Sequence, residues 1–221
     1  MRIVFKKVEI HNFMSFADET FEFDKHKGLN LVCGKNNDIP GAKNGCGKSQ
    51  LFSSLCFSLY GQTSSNIKNI NIHNKYIPGK ETRVVTYFSI EKKDYKVASG
   101  FNKYGAPYCE FYEIDKNGNE VDLTKSTIAE TRKYLETEIL HCDISIFLRT
   151  ILLSSDQNYN FFRLRKSEKK EFIEKLFDIS VFGNMYNAIH HDILDSDKQI
   201  LAYQNKLLVL NKTYNEYVER I

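Results

Sequence analysis

The run Asn44-Gly45-Cys46-Gly47-Lys48-Ser49 contains the residue types that together hold a polyphosphate at the start of a helix. Glycines let consecutive backbone N–H groups curl round a phosphate with no Cβ in the way. A lysine places a cation against the outer phosphates, and a serine hydroxyl ligates Mg²⁺. The strict spacing wants a glycine five residues ahead of Gly47, where Ala42 stands, and Gly41 is one place too early. A second register takes Gly34-Lys35-Asn36 as the loop entrance, resumes at Gly45, and makes Asn37 to Asn44 an inserted hairpin carrying Pro40 and Gly41. The second register is preferred, because it joins strand, loop and helix into one phosphate loop and a surface insertion adds little closure entropy. It predicts that deleting Asn37 to Asn44 preserves ATP binding by calorimetry. Loss of binding with a native circular dichroism spectrum would instead place Gly41 or Ala42 in the cradle. The nucleotide-contact candidates are therefore Gly34, Asn36, Asn44, Gly45, Cys46, Gly47, Lys48 and Ser49, with Ser49 on the metal. No catalytic role falls to the Cys46 thiol.

Positioning this loop needs a strand before it and a helix after it. Gly28 to Cys33 reads as the strand, and Leu51, Phe52, Leu55, Cys56 and Leu59 give a helical face that ends at Gly61. Arg2 to Ile10 and Thr20 to Asp24 read as a preceding meander. Arg83 to Glu91, Tyr95 to Phe101, Tyr108 to Ile114 and Glu120 to Leu123 read as successive antiparallel strands, with Asn117-Gly118 as a hairpin signal. Thr127 and Glu130 form a capping box for a helix through Leu140, Asp143 caps a short helix, and Ser167 caps another running to Phe177.

The last segment has a different period. From Phe182, apolar or aromatic residues recur at Tyr186, Ile189, Ile193, Ile200, Tyr203, Leu207, Leu210, Tyr214, Tyr217 and Ile221 in steps of three and four, with Ser196 the polar interruption. Such a heptad repeat predicts a coiled coil projecting roughly 60 Å at about 1.5 Å per residue. A seam of this kind needs a partner helix, and the sequence supplies none, so the polypeptide reads as cut short. A second absence agrees: no run of four apolar residues ends in the aspartate that P-loop ATPases use to hold Mg²⁺. In Ile151-Leu152-Leu153-Ser154-Ser155-Asp156 the serines interrupt the run.

Composition narrows the remaining classes. The chain has 221 residues, 42% of them hydrophobic, and a net charge of +3, so bulk charge does not announce a nucleic-acid binder. The five cysteines have no Cys-x-x-Cys spacing, which argues against a disulfide framework. No signal core and no apolar run of membrane-spanning length is present, and a cytoplasmic protein without a membrane partner is expected.

Together, the phosphate loop, the segment Ile10-His11-Asn12-Phe13-Met14-Ser15-Phe16, Leu59-Tyr60-Gly61, Phe147-Leu148-Arg149 leading into Leu152-Leu153-Ser154, Phe172 to Ile179 and the heptads resemble the N-terminal half of an SbcC-type ATPase. This is the SMC-like subunit of the SbcCD nuclease, and the inserted hairpin is most similar to phage-encoded members. The resemblance implies an α/β fold: over 1–181 the N-terminal lobe of a P-loop, ABC-type ATPase head with antiparallel strands, and over 182–221 the start of a coiled coil. It implies ATP and Mg²⁺ as cofactors and adds Asn12 to the nucleotide contacts. A C-terminal lobe after the returning coil would bring the signature motif, the Walker B aspartate and the catalytic glutamate, and two heads would sandwich two ATP molecules. In the family a glutamine after the Leu-Leu-Ser strand contacts Mg²⁺ and senses the γ-phosphate. Alignment on Leu152-Leu153-Ser154 puts Ser155 there, whereas chemistry favours Gln157, whose amide reaches a metal and an opposing head. Met14 stands where cellular members often carry a basic residue near the phosphates.

The implied function is the ATP-binding half of an ATPase that processes double-stranded DNA ends and controls a partner exonuclease. Its partners are an SbcD-like metallophosphoesterase, DNA ends and a second copy of the head. The alternatives are an SMC-like tether without a nuclease, or a self-contained P-loop kinase, which has no use for a projecting coil. Other features have plain readings beside functional ones. Arg163, Arg165, Lys166, Lys169 and Lys170 suit either a solvated helix start or DNA phosphates. His190 and His191, about 100° apart on a helix, make a poor metal pair. Tyr159, Phe161 and Phe162 suit packing before base stacking.

Overall fold

The two-residue period of strand β1 (Ile3–Phe13) puts Val8 and Ile10 on one face, where both are buried. The computed structural model describes residues 2–35, 45–65, 67, 71–77, 81–152, 161–177 and 179–218. These fall into two units, Met1–Arg163 and Leu164–Ile221.

The first unit is built on a six-stranded sheet. β2 (Phe16–Glu22), β3 (Thr82–Ile90), β4 (Lys93–Phe101), β5 (Pro107–Ile114) and β6 (Glu120–Asp122) join β1 in the order β2-β1-β3-β4-β5-β6, and each neighbouring pair is antiparallel. The predicted antiparallel strands appear with ends shifted by up to four residues, the largest shift at β2, which was expected from Thr20 and starts at Phe16. Register keeps the buried set on one face: Val8 opposes Thr86, Ile10 opposes Val84, and Val97 opposes both Thr86 and Phe111. Helix α1 (Lys48–Tyr60) is buried from Leu51 to Tyr60 apart from Phe52, with Leu51, Leu55 and Phe57 in one core with Val8, Ile10, Phe13, Val84 and Phe101. Its serines are not errors in an apolar pattern. The Ser58 hydroxyl bonds the Thr86 hydroxyl at 2.6 Å, and the Ser99 hydroxyl donates to the Ser58 carbonyl at 2.7 Å, so helix and sheet are joined by satisfied buried polar groups.

Gly100 marks the tightest backbone approach in this sheet. A Cβ there would lie 1.9 Å from the Thr82 carbonyl oxygen and 2.9 Å from the Tyr108 hydroxyl. Gly100→Ala is therefore expected to lower stability by about 3 kcal/mol, the upper range for overpacking a filled site, measurable as a shifted urea midpoint. Gly61 closes α1 in the left-handed conformation (φ 70°), and its N–H donates to the Phe57 carbonyl at 2.8 Å.

Three local expectations need correction. Gly28 to Cys33 forms no strand, and Leu29 and Leu31 are 104% and 88% exposed. An apolar run of this kind gains a ladder only from neighbours, and it pairs with none of the described residues. The helix opened by the Thr127 and Glu130 capping box is α-helical over α2 (Ile128–Tyr134) and continues as a π-helical stretch, Leu135–Leu140. Ser167 is not a cap: the cap of α4 (Lys166–Leu176) is Arg165, two residues earlier, because the Glu168 carboxylate reaches back to accept from the Arg165 N–H at 2.8 Å. The Asp143 cap is present on α3 (Ile144–Ile146), accepting from the Ile146 N–H at 2.8 Å. At the β5–β6 hairpin Gly118 has φ 84°. The Asp115 carboxylate there accepts from the Asn119 N–H, the Asn119 side-chain amide and the Asn117 N–H, which holds the carboxyl below its usual pKa.

The second unit is α4 followed by α5 (Ser180–Val218), 39 residues long. At about 1.5 Å per residue α5 spans roughly 58 Å. Its heptad side chains Phe182, Tyr186, Ile189, Ile193, Ile200, Tyr203, Leu207, Leu210 and Tyr214 are 53–68% exposed. Among the described residues, no helix is long and apolar enough to cross a membrane.

Candidate nucleotide-binding site

The start of α1 is shaped by two left-handed glycines, Gly45 (φ 78°) and the N-cap Gly47 (φ 79°). No side chain caps this end, and its first turn has no acidic residue. The Gln50 and Leu51 N–H groups already bond the Gly47 carbonyl at 2.9 and 3.2 Å. The N–H groups ahead of them are those that a helix leaves to an anion, with the positive end of its dipole behind them. Lys48 and Ser49 are the first two residues of the helix, Lys48 half-buried and Ser49 exposed.

Gly34 comes to the same place from eleven residues upstream of Gly45. A Cβ on Gly34 would lie 2.5 Å from Cys46 Cβ, 3.0 Å from its Sγ and 3.5 Å from Lys48 Cγ. The fold thus brings Gly34 against the side chains of Cys46 and Lys48, where any side chain on Gly34 would intrude. Asn36, Asn44 and Gln157, the inserted stretch between Gly34 and Gly45 beyond Lys35, and the competing Ser155 lie outside the described residues.

Asn12 is held by its backbone. It is 1% exposed with φ 49°, and its carbonyl accepts from the Thr82 hydroxyl at 3.1 Å and the Asn74 N–H at 3.3 Å, which ties β1 to β3 and to the 72–74 segment. Met14 is also buried, in the core shared with α1, and its N–H donates to the Ile72 carbonyl at 2.7 Å. A basic side chain at that position would be drawn into an apolar core. What sequence reasoning missed is the next pair: the tip of the β1–β2 hairpin rests on the phosphate loop. A Cβ on Gly47 would meet Ser15 Oγ at 2.7 Å and Phe16 Cζ at 3.3 Å, and the Gln50 side chain accepts from Ser15. Nothing in the local pattern marks this, since 35 residues separate Ser15 from Gln50.

These features fit a nucleoside triphosphate with Mg²⁺. The N–H groups at the start of α1 would bind phosphate oxygens, Lys48 would neutralise them, and the Ser49 hydroxyl would take a metal position. Other candidate groups sit apart from this chemistry. Cys56 and Cys142 are buried, and desolvation pushes their thiols up to about 12 and about 11, so both are inert packing residues. Lys170 pairs with Glu174 at 3.6 Å on the exposed surface of α4. Phe161 and Phe162 pack edge to face on each other at 5.8 Å. His190 and His191 are exposed, and no group of three metal-ligating residues occurs among the described residues.

Comparison with known proteins follows the same lines. The AAA domain family model matches residues 7–221. The DNA double-strand break repair Rad50 ATPase of Methanocaldococcus jannaschii is 26% identical over 208 residues, covering 94% of this chain and 18% of the relative. The SbcC component of the SbcCD nuclease of Staphylococcus haemolyticus is 24% identical over 215 residues, covering 92% and 20%. The probable exonuclease subunit 2 of Escherichia phage T5 is 26% identical over 218 residues, covering 97% and 32%. The chain spans about a fifth to a third of the length of these relatives. With a family match across almost its entire length, the chain belongs to the AAA domain family.

Proposed function

We propose that this chain is the ATP-binding lobe of an ATPase that processes double-stranded DNA ends and controls a partner nuclease in repair and recombination. The observation that carries the reading is the convergence of Gly34 with the Gly45 to Ser49 turn at an uncapped helix start. Lys48 and the backbone N–H groups hold ATP, and Ser49 holds Mg²⁺ together with Gln157. Residues 1–181 act as the lobe and 182–221 as the start of a coiled coil. The exposed Leu29 and Leu31 and the uncovered seam of α5 are apolar surfaces that a second lobe and a returning helix would bury. That second lobe supplies the Walker B aspartate and catalytic glutamate, and a second copy of the head closes over the γ-phosphate.

The names of the relatives support a nuclease partner, an SbcD-like metallophosphoesterase. Purification of the tagged protein from its source cells tests this. The expected result is recovery of a metallophosphoesterase whose degradation of linear duplex DNA responds to ATP. Recovery with DNA and no nuclease would move the reading to a tether that organises DNA.

A further inference from the structure

We infer that Gln50 is a positioning residue for the nucleotide: its side-chain carbonyl clamps the tip of the β1–β2 hairpin onto the glycine that opens α1, making that tip a wall of the phosphate site. The inference rests on the ATP-binding reading above and adds a residue to it. Gln50 Oε1 accepts from the Ser15 N–H at 3.0 Å and also from the Ser15 hydroxyl. Gln50 stands in the first turn of α1, where its own N–H bonds the Gly47 carbonyl at 2.9 Å, so its side chain is referenced to the phosphate loop. The tip therefore touches the loop at two points, through Gln50 and through the bare Cα of Gly47.

The far side of the tip is anchored separately. Met14 N–H bonds the Ile72 carbonyl at 2.7 Å, and the side-chain amide of Asn74, 4% exposed, donates to the Phe16 carbonyl at 3.1 Å. Met14 adopts φ 51°, a left-handed conformation that a non-glycine side chain disfavours and that only surrounding contacts maintain. One anchor is thus buried in the 72–74 segment, and the other is a half-exposed glutamine beside the site where phosphates bind. A serine or threonine hydroxyl at position 50 lacks the reach to take both Ser15 donors. Without the glutamine acceptor the Ser15 N–H and hydroxyl turn to water, the tip loses its reference to α1, and the wall over Gly47 becomes mobile.

The test uses the 221-residue chain and measures Mg²⁺-ATP affinity by calorimetry, melting temperature, and hydrogen exchange of the segment containing Ser15. Gln50→Met keeps side-chain volume and removes the acceptor. Expected are an ATP affinity weakened by about fivefold to tenfold, the scale of one or two lost hydrogen bonds, faster exchange at Ser15, and a melting temperature close to that of the unmodified chain. Gln50→Glu, whose carboxylate accepts the same two bonds, keeps Ser15 protected. Ser15→Ala weakens ATP binding by about twofold to threefold alone and by less in the Gln50→Met background, because the two groups share one interaction. ATP affinity within a factor of two of the unmodified chain in both Gln50→Met and Ser15→Ala overturns the inference and leaves Gln50 a tie of the fold. If the unmodified chain binds no ATP, or Lys48→Ala binds it equally well, the phosphate-site reading itself falls, an outcome separate from failure of the Gln50 variants alone.

Discussion

Lys48→Ala weakens ATP binding about a hundredfold while the chain keeps its fold. The lysine is the first residue of α1, its stem lies against Gly34, and it is half-buried at the turn where the phosphates would sit. Charge-assisted hydrogen bonds are the strong ones. Losing about 3 kcal/mol, the upper range for a bond to a charged group, corresponds to about two decades in affinity. Alanine is a good helix former, so the first turn of α1 tolerates it. Calorimetry with Mg²⁺-ATP, beside a circular dichroism spectrum and melting curve, measures both halves. Equal affinity in the variant would remove the phosphate-loop assignment.

The second large effect is on turnover. This chain alone hydrolyses ATP scarcely above background, and adding the C-terminal lobe as a second polypeptide with its own heptad helix raises the rate about a hundredfold or more. Removal of a single preorganised stabiliser of developing charge costs about 10²–10³ in rate, and this lobe lacks several. On the proposed reading metal, water and γ-phosphate would be lined from one side only, since no run of four apolar residues ending in aspartate occurs in the sequence. The added helix covers the α5 seam, whose half-exposed Ile193, Ile200 and Leu207 are the apolar groups that such a partner would bury. A steady-state ATPase assay with and without the added lobe decides the matter. Robust hydrolysis by this chain alone, abolished by Lys48→Ala, would point to an internal catalytic carboxylate and a self-contained P-loop enzyme.

Elements whose stability is local were readable from the chain. The capping box of Thr127 and Glu130, the Asp143 cap, the Gly61 terminus and the Asn117-Gly118 hairpin all depend on contacts within a few residues, and each is present. The antiparallel strands were readable because alternation records which face is buried, and α5 because its apolar residues recur with a helical period. Elements that depend on distant partners were misread. Leu29 to Cys33 has the composition of a buried strand, but composition does not provide a ladder, and none of the described residues supplies one. One local signal was misread as well: Ser167 has the residue type of a cap, but the Glu168 carboxylate, three residues from Arg165, accepts from the Arg165 N–H and sets the helix start there.

The candidate site divides in the same way. Residue types and spacing by themselves proposed a phosphate loop, because glycine, lysine and serine at a helix start carry a chemistry that needs no distant residue to be recognised. They also determined the register preference for Gly34, whose role required only that an insertion be looped out. The tertiary structure alone decided what stands around that loop: Ser15 and Phe16 against Gly47, Gln50 holding Ser15, and Asn12 and Met14 turned into the fold. These contacts join positions 31 to 35 residues apart in the chain through side chains packed against bare glycine and through one shared acceptor. Neither leaves a periodicity or a spacing in the sequence, and both arise only once the β1–β2 hairpin and α1 are folded onto the same core.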